Sequence, residues 1–503
     1  MSKFNTQSAP LMEALIQYRE QRKKSFHVPG HKNGHLYAQT DIAGLLANVM
    51  SIDATEISGL DDLHHPEGVI RQAQELAADC FGAEESFFLV GGSTSGNLAL
   101  ILSVCTEPGD ILLVQRNVHK SVLHGLMLAA ADAVFLEPYV DETSGLSTLP
   151  SAETVAAAIA AYPQAKGLLV TSPNYYGMGT DLVPLAELCH HAGIPLLVDE
   201  AHGAHFGQHP DLPPSALSCG ADGVVQSTHK MLSAMTMGAM LHIQGKLLHR
   251  EVVRQRLAMI QSSSPSYPIM ASLDLARRHL HMNGPSAFTE GLAAVQAFKE
   301  GISRISRFQL LQPDAGRINE GYIIQDPFKI VIYDRYGRLS GYELQRQLEQ
   351  QGCVPEMSDE RYVILLFTLA TTQADAIHLV QALVHIHKQE MNPLIPSSFP
   401  EVHSFGKEIS TWNNAPVLAV SKPVSFRLKP ASAEIIKTIP IEACAGYMAA
   451  EMVIPYPPGI PLLYPGEKIG EEVALRLQLL RDQGAKCQGA ADEKLNTIRV
   501  YLM

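Results

Sequence analysis

Lys230 stands in the stretch ADGVVQSTHKMLSAMTMGAM (residues 221–240), where, after Asp222, only His229 could carry another charge. Burying an ammonium group without compensation is expensive, so a lysine in such surroundings needs a special arrangement. It could lie at the surface, where it would cap or cross a helix end. It could also be bonded covalently as an imine and so carry no free buried charge. The stretch alone leaves both interpretations open.

Asp199 is a second candidate, because it ends the apolar run of LLVDEAHGAH (196–205). A buried carboxylate at the end of a strand needs a cationic partner, and a protonated ring nitrogen would serve. Two alternatives remain at this point. Asp199 could cap the following turn, or Glu200, His202 and His205 could converge on a metal ion. The motif lacks further ligands at suitable spacing, so we favour the ring nitrogen and expect no metal.

Hydroxyl residues follow another strand, in LVGGSTSGNLAL (89–100). Two glycines allow close backbone approach, and the N-terminus of the next helix offers unpaired N–H groups to a phosphate. Ser93, Thr94 and Ser95 could therefore cradle a phosphate, although Ser93 could equally be a simple N-cap.

His119, in QRNVHKSVLHG (115–125), also lies at a strand end, where it could stack on a flat ring or be an ordinary loop residue. Lys230 follows Asp199 by 31 residues (230 − 199) and comes at the end of the next strand. We expect three adjacent strand ends to supply a phosphate cradle, an acid for a ring nitrogen and an imine-forming lysine. Those are the protein groups that pyridoxal 5'-phosphate requires.

The elements that position these residues alternate between helix and strand from about residue 70 to residue 275. Short continuous apolar strands such as DILLVQ and GLLVT, separated by amphipathic helices, predict a mostly parallel sheet covered on both faces. Residues 285–390 show a different order of helices and strands, typical of a smaller α+β unit. A Pro/Ser-rich connector at 391–410 precedes a last unit that holds PYPPGIPLLYPGE (455–467).

These patterns predict an α/β protein with four parts. They are an N-terminal helix and loop segment (1–45), a large domain (46–280), a small α+β domain (281–390) and a C-terminal domain (391–503).

Composition limits the class of protein. The chain has 503 residues, of which 46% are hydrophobic and 18% charged, with a formal net charge of −13. This balance is ordinary for a soluble globular enzyme and disfavours nonspecific binding of nucleic acid. No apolar run reaches the roughly 18 residues that a membrane span needs. Seven scattered cysteines without a CxxC pair suggest reduced thiols, so we expect a cytoplasmic protein that does not bind membranes.

The motifs FHVPGHKNG, DDLHHPEG, GGSTSGN, RNVHKS, DEAHGAH, QSTHK and PYPPGIPLLYPGE resemble those of the Orn/Lys/Arg decarboxylase family. They run from residue 26 to residue 467. The resemblance implies a pyridoxal-phosphate enzyme of the aspartate-aminotransferase fold (fold type I). It implies a homodimer or higher homo-oligomer with sites near the shared interface, and a cationic amino acid as substrate. FHVPGHKNG begins at residue 26, where large members have a wing domain of over a hundred residues, so a short form is expected.

The resemblance also assigns roles. It implies that Lys230 forms the imine with the cofactor, that His119 stacks over the ring, and that Asp199 pairs with the ring nitrogen. His202 is expected close by, and the phosphate cradle is expected to hold Ser93, Thr94, Ser95, Ser227 and His229. Lys230 or His229 would return a proton to the α-carbon. Asn174 stands where many relatives carry Thr, so no role is assigned to it.

The substrate is the least determined part. Family analogy favours arginine, converted to agmatine and CO2 for polyamine biosynthesis, with lysine and then ornithine as alternatives. An aminotransferase of the same fold and a regulatory relative without activity are further alternatives. The substrate's distal cation needs a carboxylate, for which we consider Glu451, Glu356 and Asp359, although each could be an ordinary surface or turn acid.

Overall fold

The computed structural model describes residues 5–37, 44–313, 321–389, 420–428, 435–456, 459–482 and 484–502. The helices in this part of the chain are α1 (Pro10–Glu20), α2 (Gly44–Met50), α3 (Val69–Phe81), α4 (Gly92–Val104), α5 (Lys120–Ala129), α6 (Ala152–Ala161), α7 (Val183–His191), α8 (Thr228–Met231), α9 (Arg250–Ile260), α10 (Tyr267–Asn283), α11 (Thr289–Ile302), α12 (Gly341–Gln350), α13 (Gln373–Gln389) and α14 (Glu471–Asp482).

The strands are β1 (Glu85–Leu89), β2 (Ile111–Gln115), β3 (Asp132–Leu136), β4 (Leu168–Thr171), β5 (Met178–Gly179), β6 (Leu196–Asp199), β7 (Gly223–Gln226), β8 (Ala239–Ile243), β9 (Phe308–Leu310), β10 (Ile324–Gln325), β11 (Lys329–Asp334), β12 (Met357–Ser358), β13 (Tyr362–Leu366), β14 (Val424–Ser425), β15 (Ile436–Pro440), β16 (Ile454–Pro455), β17 (Cys487–Gln488) and β18 (Thr497–Tyr501).

The large sheet has eight strands in the order β1-β8-β7-β6-β4-β2-β3-β14. The strands β7, β6, β4, β2 and β3 are parallel, and β8 and β14 run antiparallel to their neighbours. Continuous apolar runs form the parallel strands because both faces of the sheet are covered. The two faces belong to two hydrophobic clusters, one with Phe88, Val170, Val198 and Val224, the other with Leu89, Leu169, Leu197 and Val225.

The position of strand β8 shows that one sequence prediction, the adjacency of three strand ends, is wrong. The strand ends that carry Ser93, Asp199 and Lys230 were expected to be adjacent, but β8 lies between β1 and β7. Both β1 and β7 run antiparallel to β8, so their carboxyl ends still meet at one edge. The short apolar run AMLHI does not indicate whether the strand is parallel or antiparallel to its neighbours, because a buried strand has the same apolar pattern in both cases.

The small unit contains a four-stranded antiparallel sheet in the order β12-β13-β11-β9. Helix α12 packs on β12 and β13, α11 packs on α13, and the three helices share a hydrophobic cluster with the sheet. The small unit is joined to the large unit by the pairing of β10 with β5. This is the α+β arrangement that the sequence predicts. The first residue of β11, Lys329, points back toward the large unit, where it contacts His202.

The C-terminal part pairs β15 with β18 and β16 with β17, and it has its own hydrophobic cluster. The preceding strand β14 extends the edge of the large sheet at β3. The predicted connector at 391–410 lies outside the described residues, and the four domain boundaries stay predictions. Within the described ranges, none of the helices is both long and apolar enough to span a membrane.

Candidate active site

Neighbouring strands β6 and β7 bring the two central candidates to one edge of the sheet. Strand β6 ends at Asp199, and β7 is followed by Ser227 and the short helix α8, which carries Lys230. The two strands are parallel and pair Asp199 with Val225 in register. The prediction that consecutive strand ends place Asp199 beside Lys230 therefore agrees with the sheet topology.

Asp199 is a buried carboxylate with a relative exposure of 3%. Its Oδ2 accepts a hydrogen bond from Asn97 Nδ2 at 2.7 Å, and its Oδ1 accepts one from the backbone N–H of Ala201 at 3.1 Å. Burial raises the pKa of Asp199, against the opposing effects of Asn97 and Lys230. Within the described residues, no cationic side chain forms a hydrogen bond or ion pair with it. A buried carboxylate of this kind is a suitable partner for a cationic ligand atom.

Lys230 lies in a row of three nitrogen-bearing side chains. Its Nζ is 3.0 Å from Nε2 of His202, and Nδ1 of His202 is 3.0 Å from Nζ of Lys329. Burial lowers the pKa of Lys230 and keeps the pKa of His202 well below its usual value. Both shifts favour uncharged forms, which suits a lysine that acts as a nucleophile.

His119 is the N-cap of α5 and is linked to Asp199 through two other side chains. Its Nδ1 accepts from the backbone N–H of Ser121 at 3.2 Å and lies 2.9 Å from Ser121 Oγ. Asn97 Nδ2 donates to the same Oγ at 3.0 Å. Burial, with a smaller effect of Lys230, lowers the pKa of His119 to about 4. The ring is therefore neutral near neutral pH, which is compatible with stacking on a flat ring.

The C-terminal part of the chain reaches this histidine. The backbone N–H of Lys120 donates to the carbonyl of Gly459 at 3.0 Å. Gly459 has φ +89°, and a Cβ built on it would lie 3.2 Å from His119 Nε2. The motif PYPPGIP thus places a glycine where a side chain would press on His119.

The expected phosphate-binding hydroxyls fall into two groups. Ser93 and Thr94 lie in the first turn of α4 with partial or full exposure, whereas Ser95 is buried and donates to the carbonyl of Gly92 at 2.8 Å. Ser227 is fully buried, and its Oγ has no partner in the described residues. His229 sits beside them with its Nδ1 2.9 Å from the carbonyl of Gly238.

The alternative metal site is contradicted by the directions of its three side chains. Glu200 accepts from the backbone N–H of Ala216 at 2.8 Å and from Gln226 Nε2 at 2.7 Å. His205 Nε2 contacts Asp326 Oδ1 at 2.9 Å, and His202 contacts the two lysines. The three candidate ligands therefore do not converge.

Of the three acids considered for the substrate, Glu356 is the one that faces the site. Its Oε1 accepts from the hydroxyl of Tyr175 at 3.2 Å, and the ring of Tyr175 stands edge-on to His202 with centroids 4.4 Å apart. Its charge opposes the lowering of the pKa of both Lys230 and Lys329.

The other two acids are engaged elsewhere. Asp359 accepts from Tyr176 Oη at 2.5 Å and from two backbone N–H groups in its own turn. Both oxygens of Glu451 accept backbone N–H groups, from Ala491 at 2.8 Å and Arg499 at 2.9 Å. The structure thus shows local contacts for Glu451 and Asp359, and a role of either acid in substrate binding stays a prediction.

Comparison with known proteins adds the family. Residues 9–375 match the major domain of the Orn/Lys/Arg decarboxylases, and residues 421–492 match their C-terminal domain. The chain belongs to the Orn/Lys/Arg decarboxylase family. The predicted fold class and enzyme class, an amino acid decarboxylase acting on a basic substrate, are confirmed by these matches.

Individual relatives cover almost the whole chain. YaaO of Bacillus subtilis (strain 168), an uncharacterized protein, is 41% identical over 497 residues, 98% of this chain and 99% of YaaO. The arginine decarboxylase of the same organism is 34% identical over 492 residues, 98% of this chain and 97% of that enzyme. The crystal structure of Francisella novicida lysine decarboxylase LdcF has a TM-score of 0.80 at 22% identity, covering 98% of this chain and 81% of that one. At this identity the last likeness shows the fold.

Three polar residues of the site were not identified from the sequence. They are Asn97, Tyr175 and Lys329. Asn97 follows Ser93 by four residues, so a helical spacing from the hydroxyl cluster could have found it. Lys329 begins the apolar strand FKIVIYD, and a lysine at the edge of an apolar run is the same signal that singled out Lys230.

Proposed function

We propose that this chain binds pyridoxal 5'-phosphate through Lys230 and uses it to decarboxylate a basic amino acid. The observation that carries the proposal is the buried Asp199 carboxylate, which has no cationic partner in the described residues and lies on the strand next to the one that leads to Lys230. A protonated ring nitrogen would supply the missing positive charge. The orphan hydroxyl of Ser227 supports a ligand with acceptor oxygens at the same edge.

The proposed cofactor contacts use the residues described above. Lys230 would hold the cofactor covalently, Asp199 would pair with its ring nitrogen, and His119 would lie against its ring with His202 beside Lys230. Ser93, Thr94 and Ser95 at the start of α4, with Ser227 and His229, would surround the phosphate, where the helix N-terminus also favours an anion.

When bound, pyridoxal phosphate supplies an electron sink for the pair of electrons left on the α-carbon as CO2 departs. The protein has to keep the carboxylate in a weakly solvated pocket and return one proton to that carbon. His229 is less well placed to donate it, because its Nδ1 faces the carbonyl of Gly238. We therefore propose Lys230 Nζ as the proton donor.

The aminotransferase alternative is less well supported. That chemistry favours an arginine that clamps the substrate's α-carboxylate. In the described residues, the hydrogen-bond partners of Lys230, Asp199 and His202 include no arginine. The matched family is also one of decarboxylases.

Arginine is the proposed substrate, with agmatine and CO2 as products, because the arginine decarboxylase of Bacillus subtilis is similar over nearly the full length. Lysine is the alternative. Glu356 is the proposed partner of the distal cation, since it reaches the site through Tyr175 and lies close enough to affect both lysines.

Incubation with arginine, lysine and ornithine in turn, with CO2 and amine followed by mass spectrometry, tests the substrate. We expect agmatine as the main product. Cadaverine or putrescine would contradict the choice of arginine, and a keto acid without amine would contradict decarboxylation.

Glu356→Gln tests the distal contact. Loss of one hydrogen bond to a charged group should lower kcat/KM for arginine about tenfold to a hundredfold, mainly through KM. Glu360→Gln is a matched control, since Glu360 is an exposed acid just beyond β12, on the other side of that short strand from Glu356. Equal effects of the two substitutions would remove Glu356 from the site.

A homodimer is also proposed, and apolar side chains in the N-terminal segment support it. Phe26, Leu36 and Leu45 are 94%, 72% and 84% exposed in the single chain. The loop HHPEG (64–68), in which His65 and Glu67 are exposed, would complete the site of the neighbour. Mixing a Lys230→Ala chain with a chain altered in this loop should restore activity in the heterodimer; an active monomer by light scattering would contradict it.

A further inference from the structure

Lys329 is a buried lysine that the proposed chemistry has not yet used. It is 2% exposed and is the first residue of β11 in the small unit. Its Nζ lies 3.0 Å from His202 Nδ1, and the other nitrogen of the same ring lies 3.0 Å from Lys230 Nζ. The ring therefore connects a lysine of the small unit with the lysine of the large unit.

The hydrogen-bonding capacity of His202 limits how many of the two lysines beside it can be charged. A neutral imidazole has one N–H and one lone pair, so it can accept a hydrogen bond at only one of its two nitrogens. An ammonium group can only donate. If both lysines were charged, one of them would face the imidazole N–H with no acceptor between them. Consequently at most one of Lys230 and Lys329 is an ammonium group while both contacts to His202 are made.

The aromatic ring of Tyr175 favours the charge on Lys329. Its Nζ is 5.3 Å from the ring centroid of Tyr175, a distance at which an aromatic face stabilises a cation. Asp326 and Glu356 are the carboxylates that act on Lys329, and they oppose the burial that lowers its pKa to about 8.

Lys230 is acted on by a partly different set of groups. Asp199 and Glu356 are its carboxylates, but within the described residues Asp199 makes no hydrogen bond or ion pair with Lys230 and accepts instead from Asn97 Nδ2 and the backbone N–H of Ala201. The histidines nearby are His119, His202 and His229. Burial lowers the pKa of each, so they are neutral and do not favour a charge on Lys230.

We propose that Lys329 is a positioning residue that keeps Lys230 uncharged before the cofactor binds. Its ammonium group donates to Nδ1 of His202, which places the ring's own proton on Nε2, and that N–H donates to the lone pair of Lys230 Nζ. This inference rests on the proposed function, since an uncharged amine matters only if Lys230 attacks an aldehyde. In that step a C=N bond forms, the aldehyde oxygen leaves as water, and no oxidant or reductant is needed.

The test follows imine formation in cofactor-free protein as pyridoxal phosphate is added over a range of pH. The rate, measured from the visible imine absorbance, depends on the fraction of Lys230 that is uncharged and needs no turnover. In Lys329→Met, His202 is free to place its proton on Nδ1, so Lys230 can hold the charge. We expect the midpoint of the pH profile to rise by about one unit and the rate at neutral pH to fall about tenfold.

Two further variants separate a positioning role from a structural one. Lys329→Arg keeps a permanent donor toward Nδ1 and should stay within about threefold of the wild type, given that arginine remains charged. Lys166→Met, a half-exposed lysine paired with Asp110, is a control for lysine removal and should change nothing. Thermal melting checks that each variant is folded.

A double-mutant cycle keeps the inference falsifiable if the arginine variant does not fold. In a His202→Asn background the row is broken, so Lys329→Met should shift the profile far less than it does in the wild type. Equal shifts in the two backgrounds, or an unshifted Lys329→Met, would overturn the inference. If the wild type itself forms no imine, the proposed function fails instead, so the two failures are distinguishable.

Discussion

Two buried polar regions lie on opposite faces of the large sheet, and they differ in how completely their hydrogen-bonding groups are paired. We call them the Glu200 network (Ser86, Glu200, Gln226 and His242) and the Asp199 pocket (Asn97, Thr171, Asp199, Ser227 and Lys230). In register, His242 pairs with both Ser86 and Val224, whereas Asp199 pairs with Val225. Because successive residues of a strand alternate between faces, Gln226 shares a face with His242, and Asp199 faces the other way.

The Glu200 network is fully paired. Glu200 accepts from Gln226 Nε2 at 2.7 Å, Gln226 Oε1 lies 3.1 Å from His242 Nε2, and His242 Nδ1 lies 2.7 Å from Ser86 Oγ. All four residues are at most 2% exposed. A closed network of this kind stabilises the sheet and leaves no group for a ligand.

The Asp199 pocket has unpaired groups. Asn97 Oδ1, Thr171 Oγ1 and Ser227 Oγ are buried without a partner in the described residues. Asp199 has only neutral donors there. Buried polar atoms without partners are costly in a region that serves stability alone, so their concentration at one strand edge indicates a ligand site. The comparison shows that two adjacent acids, Asp199 and Glu200, face different sides of one sheet, which predicts different functions for them.

The largest expected effect comes from Asp199→Asn. The substitution removes the charge that we propose keeps the cofactor's ring nitrogen protonated, and it almost preserves the shape of the side chain. We expect turnover to fall about a hundredfold to a thousandfold, the range for losing one well-placed electrostatic contact. Cofactor binding should survive in part, because Lys230 and the phosphate contacts remain. Steady-state kinetics on cofactor-loaded protein provides the measurement, and near-normal turnover would mean that Asp199 is structural.

In contrast to Asp199→Asn, Glu200→Gln should lower stability and leave turnover nearly unchanged. Its amide nitrogen would face the N–H of Ala216 or of Gln226, so we expect the free energy of unfolding to fall by about 2 kcal/mol. Turnover should change by less than about threefold, because stability loss without loss of a substrate contact leaves kcat nearly intact. Denaturant titration and kinetics on the same preparation test the pair of expectations. A large loss of turnover in a stable protein would break the comparison.

The pH dependence of stability sharpens the Glu200 prediction. Burial raises the pKa of Glu200 from 4.5 to about 8, so the folded state binds a proton more tightly than the unfolded state. The contribution of Glu200 to the free energy of unfolding is therefore fully present below pH 4.5, and it is lost as the pH rises toward 8. The unfolding free energy of the wild type should therefore fall over this window relative to that of Glu200→Gln, whose amide does not titrate. A wild type that gains stability relative to Glu200→Gln as the pH rises would contradict the assigned shift.

The smallest expected effects come from two serines, one in each region. Ser227→Ala removes a hydroxyl without a protein partner, so the stability of cofactor-free protein should not fall, while cofactor affinity should drop about tenfold. Ser86→Ala leaves His242 Nδ1 unpaired and should cost about 1 to 2 kcal/mol of stability with no change in cofactor affinity. Melting curves and fluorescence titration with pyridoxal phosphate distinguish the two patterns, and identical behaviour of both serines would remove the contrast.

Much of the fold and part of the site followed from the sequence. Helix and strand patterns predicted the parallel strands that end at Asp199 and before Lys230, because both depend on local periodicity. The insertion of β8 between β1 and β7 did not follow, since strand order depends on long-range pairing that local patterns do not encode.

Contacts between units were also beyond local patterns. Lys329 is separated from His202 by 127 residues in the chain, and only the packing of the small unit on the large one brings them together. For the same reason, the sequence could not distinguish Glu356 from Glu451. Glu356 faces the site, whereas Glu451 accepts hydrogen bonds from two backbone N–H groups of the C-terminal part. Residue type and spacing identified the candidates, and tertiary contacts separated them.

The central claim is that Lys230 carries the cofactor, and one measurement tests it directly. Protein loaded with pyridoxal phosphate is reduced with borohydride and digested, and the modified peptide is sequenced by mass spectrometry. The account predicts one phosphopyridoxyl group on the peptide that contains Lys230, together with loss of the reducible absorbance in Lys230→Ala. The same chromophore in Lys230→Ala, or the label on Lys329 in the wild type, would contradict it.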